Sequence, residues 1–125
     1  MYEVEVRDEF SAAHFIKLYD GTWEPRHGHN WKVAVLVRAD RLDSIGVVVD
    51  FEALKHNLKK ILREFTEIAF NDHPDFKDEK LNPSTENIAK TIHDRLKPMM
   101  KSENNAEIVK VTVWETDDAS ASYHA

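Results

Sequence analysis

The sequence predicts an α+β domain: an antiparallel four-stranded sheet with two helices packed on one face. Three observations predict it. Apolar residues alternate with period two in the first forty residues and again near the end of the chain. Two central segments repeat them at spacings of three and four. The order is strand, strand, helix, helix, strand, strand, with neither internal repeat nor linker. A length of 125 residues suits one domain, 1–125, since single domains run roughly 100–200 residues.

The elements follow in order. In residues 2–15, Val4 and Val6 share a face, with Glu3, Glu5 and Arg7 opposite. Phe10, Ala12 and His14 keep the valines' parity, so an unbroken strand points His14 where the valines point. A loop follows from Lys17 to Arg26, with Gly21 and Pro25 as turn formers. From His27 to Leu42 the alternation resumes, placing His27, His29, Trp31, Val33, Val35 and Val37 on one face and Lys32 and Arg38 on the other. A turn through Asp43 to Gly46 leads to Val47-Val48-Val49, expected as a short buried strand.

Asp50 is a helix cap for a segment expected to run from Phe51 to Phe70, whose face is Leu54, Leu58, Ile61, Leu62, Phe65 and Ile68. The loop from Asn71 to Pro83 carries Asp72 and His73. Ser84 or Thr85 then caps a second helix with Ile88, Ile92, Leu96 and Met99, and Pro98 falls near its end. Asn104-Asn105 turns the chain into a strand from Ile108 to Thr116 with Val109, Val111, Val113 and Glu115 expected inward. Ala119 to His124 closes a hairpin. Two helices cover only one face of such a sheet, so a homo-oligomer is expected.

Composition narrows the function. Lys+Arg of 17 against Asp+Glu of 23 gives a formal charge of −6, without the basic face that a phosphate backbone or an anionic membrane requires. No apolar run approaches the roughly 20 residues of a membrane span. The charged, alternating start Met1-Tyr2-Glu3-Val4-Glu5 is unlike a signal peptide, so a cytoplasmic location is expected. The chain has 7 histidines and no cysteine. That excludes disulfides, thiolate zinc sites, iron–sulfur clusters and cysteine nucleophiles. A metal site here must be built from His, Asp and Glu.

His27-Gly28-His29 is a His-x-His on an expected strand, where side chains at i and i+2 point the same way and can share one metal ion. Gly28 removes bulk between them. His14, at the end of the neighbouring strand, adds a third imidazole on the same face. Three converging histidines with an open fourth position are the pattern of catalytic rather than structural zinc. Three locally hydrogen-bonded histidines satisfy the same spacing. Asp72-His73 is a minimal general-base pair, or a solvated polar loop. Glu24 stands three residues before His27, in the loop expected to overhang a metal, although surface charge is the commonest fate of a glutamate. An inward Glu115 on a valine-rich strand requires a cation or a ligand with adjacent N–H donors, unless the strand end frays into water. Lys17 and Arg26 flank the site where a phosphate tail would lie, though both are unexceptional as solvated charges. His56, His93 and His124 carry no such signal.

Taken together, Phe10-Ser11-Ala12-Ala13-His14, His27-Gly28-His29-Asn30, Val49-Asp50-Phe51, Asp72-His73, Pro83-Ser84-Thr85-Glu86-Asn87 and Trp114-Glu115-Thr116 occur in an order that resembles the 6-pyruvoyltetrahydropterin synthase and 6-carboxytetrahydropterin synthase family end to end. The resemblance implies the T-fold, with subunits closing into a trimeric barrel and two trimers stacking as a hexamer. It implies Zn(II) on His14, His27 and His29 and a reduced pterin as substrate. It implies that Glu115 anchors the pterin's 2-amino and ring N–H groups, that Thr85 and Ser84 line the pterin pocket, and that Asp72 and His73 relay protons with a cysteine just upstream of His-Gly-His.

At that cysteine the sequence departs from the pattern. The upstream loop reads Gly21-Thr22-Trp23-Glu24-Pro25-Arg26, so the motif is Glu-x-x-His-Gly-His. It looks like a branch in which glutamate replaces the cysteine, associated with cleaving 7,8-dihydroneopterin triphosphate to 6-hydroxymethyl-7,8-dihydropterin, a folate precursor. Two other readings stand beside it: 6-pyruvoyl- or 6-carboxytetrahydropterin synthesis, and a paralogue that binds zinc and pterin without turnover.

Overall fold

The computed structural model describes residues 1–78 and 81–125. The element order is β1 (Tyr2–His14), β2 (His27–Ala39), α1 (Phe51–Arg63), α2 (Thr85–Leu96), β3 (Glu107–Thr116) and β4 (Ala119–His124). The four strands form one sheet in the order β1-β2-β3-β4, every neighbouring pair antiparallel. The β1–β2 register runs unbroken from Tyr2 opposite Ala39 to His14 opposite His27. Ladder and alternation therefore agree on which side chains face inward.

Both helices pack on the face bearing Val6, Phe10, Trp31, Val33, Val35, Val37, Val111 and Val113. Helix α1 buries Leu54, Leu58, Ile61 and Leu62. Helix α2 buries Ile88, Ala89, Ile92 and Leu96. Their N-termini are closed by side chains: Asp50 accepts the Glu52 N–H and Ser84 accepts the Asn87 N–H, each satisfying a donor that the helix leaves unpaired. Trp31, fully buried, donates its indole N–H to the Ala12 carbonyl at 3.0 Å. It packs edge-on to Phe70 and against the rings of His14 and His29. No helix among the described residues is long and apolar enough to cross a membrane.

The structure changes four local expectations. Strand β2 ends at Ala39 rather than Leu42. Helix α1 ends at Arg63 rather than Phe70. Glu67 then adopts a positive φ of 61°, its N–H bonds the Ser11 carbonyl at 2.7 Å, and Ala13 N–H bonds the Ile68 carbonyl at 2.9 Å. Unpaired backbone groups on the β1 edge thus outcompete a further helical turn for this segment. Val47–Val49 form no strand, because no ladder partner among the described residues reaches them; Val48 is still buried, and its carbonyl accepts from the Asn104 amide. In β3 the register shifts so that Val37 pairs with Ile108 and Leu36 with Lys110. This bulge turns Ile108 inward in place of Val109.

Candidate metal centre

The centre lies where β1, β2 and β3 end together. Register alone sets His14 opposite His27, with His29 two residues further along β2 on the same face. Ring centroids are 4.5 Å apart for His14 and His27, 5.3 Å for His14 and His29, and 4.9 Å for His27 and His29. Glu115 reaches the same point from β3. Trp114 pairs with Ser120 and Thr116 with Ala119, so Glu115 is the extra residue of a second bulge, the device that re-aims a side chain at a strand end.

Backbone carbonyls orient two of the rings. His14 Nδ1 lies 2.8 Å from the Pro83 carbonyl and His27 Nδ1 lies 2.8 Å from the Pro25 carbonyl. A carbonyl only accepts, so both Nδ1 atoms donate, and in the neutral ring both Nε2 atoms present lone pairs. The Nε2 atoms of His14 and His29 are buried, and the polar group beside them is the Glu115 carboxylate, at 3.3 and 2.9 Å without hydrogen-bond geometry. Orphaned buried nitrogens are costly, and here a metal ion is the partner that fits. One ligand atom from each of His14, His27, His29 and Glu115 lies within 4.8 Å of the others. Burial holds the His29 imidazole below its ordinary pKa; Glu115 opposes this, while His14 and His27 act with it. That favours the neutral ligand form.

Glu24 stands beside the cluster. Its Oε1 accepts the Ile16 N–H at 3.0 Å and lies 3.8 Å from His27 Nε2, while its own N–H bonds the Ile16 carbonyl. The connection after β1 is held on both sides of that contact. Asn71 pairs through its side chain with both backbone groups of Phe15, and Asn82 does the same with Lys17. Thr85, the first residue of α2, donates its hydroxyl to Glu115 Oε2 at 3.2 Å. Ser84 spends its hydroxyl on the helix cap.

Asp72 and His73 sit differently. Asp72 is exposed, 3.8 Å from Arg26. The His73 ring packs on Phe65 at 4.5 Å, takes the Asp75 N–H on Nδ1, and has Glu64 3.8 Å from Nε2. Among the described residues no hydrogen bond or ion pair joins either to the histidine cluster. Lys17 lies over the Trp23 ring. Sequence reasoning misses the Pro83 and Pro25 carbonyls and the Asn71 and Asn82 clamps, since a backbone acceptor has no side-chain signature. Beside the centre, a cavity of about 760 Å³ is lined by His29, Asn30, Lys32, Glu115, Thr116 and Asp117, among others, within the usual size of small-molecule sites.

Comparison with known proteins fits this geometry. A family model described as 6-pyruvoyl tetrahydropterin synthase matches residues 3–125. A Bacillus subtilis 6-carboxy-5,6,7,8-tetrahydropterin synthase is 35% identical over 98% of this chain and 84% of its own length. A Pyrococcus furiosus dihydroneopterin monophosphate aldolase is 30% identical over 90% of this chain and 88% of its own. Among solved structures, a Caenorhabditis elegans 6-pyruvoyl tetrahydropterin synthase superposes with a TM-score of 0.83 at 24% identity, covering 99% of this chain and 95% of that one. A Plasmodium vivax 6-pyruvoyltetrahydropterin synthase, described as a catalytic-residue mutant with glutamate replaced by alanine, superposes with a TM-score of 0.79 at 23% identity, covering 99% of this chain and 97% of that one.

Proposed function

This chain belongs to the 6-pyruvoyl tetrahydropterin synthase family, whose members are lyases acting on pterins, and on that premise we propose that it is a zinc-dependent aldolase. Its substrate is 7,8-dihydroneopterin triphosphate, cleaved to 6-hydroxymethyl-7,8-dihydropterin. His14, His27 and His29 hold the zinc, which supplies Lewis acidity toward the oxygens of the substrate's side chain. Glu115 receives the pterin's 2-amino and ring N–H groups, the bidentate carboxylate geometry that fixes orientation as well as affinity. Thr85 keeps that carboxylate turned toward the ring, and Ser84 keeps Thr85 at the helix start.

Glu24 takes the proton of the 2′-hydroxyl. The C1′–C2′ bond then breaks, its electron pair passes into the pterin ring, and C1′ receives a proton from His73, whose ring is held by Phe65 and the Asp75 N–H, with Asp72 as the second member of the proton-relay pair. The products are the hydroxymethyl pterin and a phosphorylated two-carbon aldehyde. Arg26, next to His27, and Lys17, next to the Ile16 that Glu24 bonds, are the cations assigned to the phosphate tail.

The observation that carries this reading is Glu24, fixed by the Ile16 N–H and 3.8 Å from His27 in a chain without cysteine. The aldolase activity named for the Pyrococcus relative and the catalytic glutamate described for the Plasmodium protein support it. The Bacillus relative favours a second reading, 6-carboxytetrahydropterin synthesis with Glu24 in the cysteine's role. Incubating zinc-loaded protein with 7,8-dihydroneopterin tri- and monophosphate and separating the products decides between them. Release of 6-hydroxymethyl-7,8-dihydropterin is expected; a 6-carboxy or 6-pyruvoyl product alone overturns the aldolase reading. Pterin binding without turnover points to a non-catalytic paralogue.

A further inference from the structure

Glu115 occupies a place that pterin anchoring by itself does not explain. Its Oε1 lies 2.9 Å from His29 Nε2, 3.3 Å from His14 Nε2 and 3.9 Å from His27 Nε2. Nδ1 of His14 and Nδ1 of His27 point at the Pro83 and Pro25 carbonyls, so in the neutral ring that a metal requires each Nε2 is a lone pair. A carboxylate oxygen is a lone pair as well. With His14 and His27 neutral, their Nε2 acceptors face an acceptor oxygen at 3.3 and 3.9 Å, an arrangement that a cation among them turns from repulsive to attractive. One ligand atom from each of the four residues lies within 4.8 Å of the others, so a cation held by the three nitrogens has the carboxylate within reach as well.

The other carboxylate oxygen is engaged elsewhere: Oε2 takes the Thr85 hydroxyl, leaving Oε1 free toward the histidines. The bulge at Glu115 gives β3 the local bend that brings the side chain to this point. Zinc with three protein nitrogens and one further donor completes the tetrahedral set that this ion prefers.

We propose that Glu115 is the fourth ligand of the metal in the substrate-free protein and leaves the metal when a pterin enters. The inference rests on the metal reading of the tripod and extends it. The carboxylate closes the coordination sphere of the empty site. It then passes to the N–H groups of the incoming ring and vacates the position that the substrate's side-chain oxygen takes. One residue thus couples pterin recognition to opening of the metal, so that the metal's reactive position is exposed only when substrate is bound.

The test uses cobalt(II) as a spectroscopic substitute in the full chain, with no turnover required. Wild-type protein is expected to give the intense visible bands of four-coordinate cobalt. Adding 7,8-dihydroneopterin should change them as an oxygen of the ligand replaces the carboxylate. In Glu115→Gln the substrate-free spectrum should already differ, and metal affinity in a chelator competition should fall by at least the roughly ten- to hundredfold that losing an outer-shell partner costs. Glu115→Asp, which keeps the charge but shortens the reach, is expected to fall between the two and serves if the glutamine variant does not fold. An unchanged cobalt spectrum and unchanged affinity in the Glu115 variants, with His27→Ala abolishing uptake, overturns the inference and leaves the tripod intact. Failure of the wild-type protein to bind metal overturns both.

Discussion

At the scale of single residues, the chemistry rests on which lone pairs and protons point where. Glu24 is ionisable, partly exposed and fixed at Oε1 by a backbone N–H, and among the described residues its ion-pair contact with the cluster is to His27. Glu24→Gln keeps the volume and removes the base. Turnover is then expected to fall at least about a hundredfold, the low end of what a positioned acid–base group supplies, while zinc content stays at the wild-type value. Product formation with metal analysis on the same sample checks both halves; retained turnover removes Glu24 from the reaction. His14 makes the opposite case. It is buried and aimed at the cluster by the Pro83 carbonyl, so His14→Ala is expected to lose metal and activity together. Counting bound zinc by mass spectrometry of the native protein is the direct check.

At the scale of elements, the site depends on where strands and helices begin and end. Ser84 contributes through α2: its hydroxyl accepts the Asn87 N–H, and the turn it closes holds Thr85 against Glu115. Ser84→Ala is expected to cost about 1 kcal/mol of stability, the usual worth of an N-cap. It should appear as a lower denaturant midpoint at unchanged slope, and a stability equal to wild type would deny the cap its role. The same elements show what a sequence alone makes legible. The His14, His27 and His29 constellation is readable because period-two alternation and an unbroken register leave no freedom in direction. Helix α2 is readable because its cap and apolar spacing agree. The true end of α1 is not readable, since residues 64–69 still fit a helical face and leave it only because a distant strand edge offers hydrogen bonds. The β3 bulges are equally hidden, because Ile108 and Val109 are interchangeable as apolar residues and only pairing with β2 decides which turns inward.

At the scale of the whole molecule, the single chain leaves its sheet unfinished. Strand β1 pairs on one side only, apart from the segment that covers it near Ser11 and Ala13, and β4 closes the other edge of the sheet without a further partner among the described residues. Long open edges invite further strand pairing, and the helices cover one face. The family is typically oligomeric, and light scattering coupled to size exclusion is expected to give a multiple of 14.5 kDa rather than the monomer mass. Assembly bears on catalysis through Asp72 and His73, whose side-chain partners among the described residues include Arg26, Glu64, Asp75 and Phe65 and none of the histidine cluster. A proton relay from this pair then reaches a metal centre most directly if the centre belongs to another copy. Mixing distinguishes the two arrangements. Glu24→Gln and His73→Ala proteins, each inactive alone, are unfolded together and refolded so that their subunits assort. If Glu24 and His73 meet across an interface, some sites receive both intact residues, and about a quarter of wild-type turnover returns when subunits assort at random in a closed homo-oligomer. If both residues serve the centre of their own chain, every site in the mixture carries one lesion and no turnover returns.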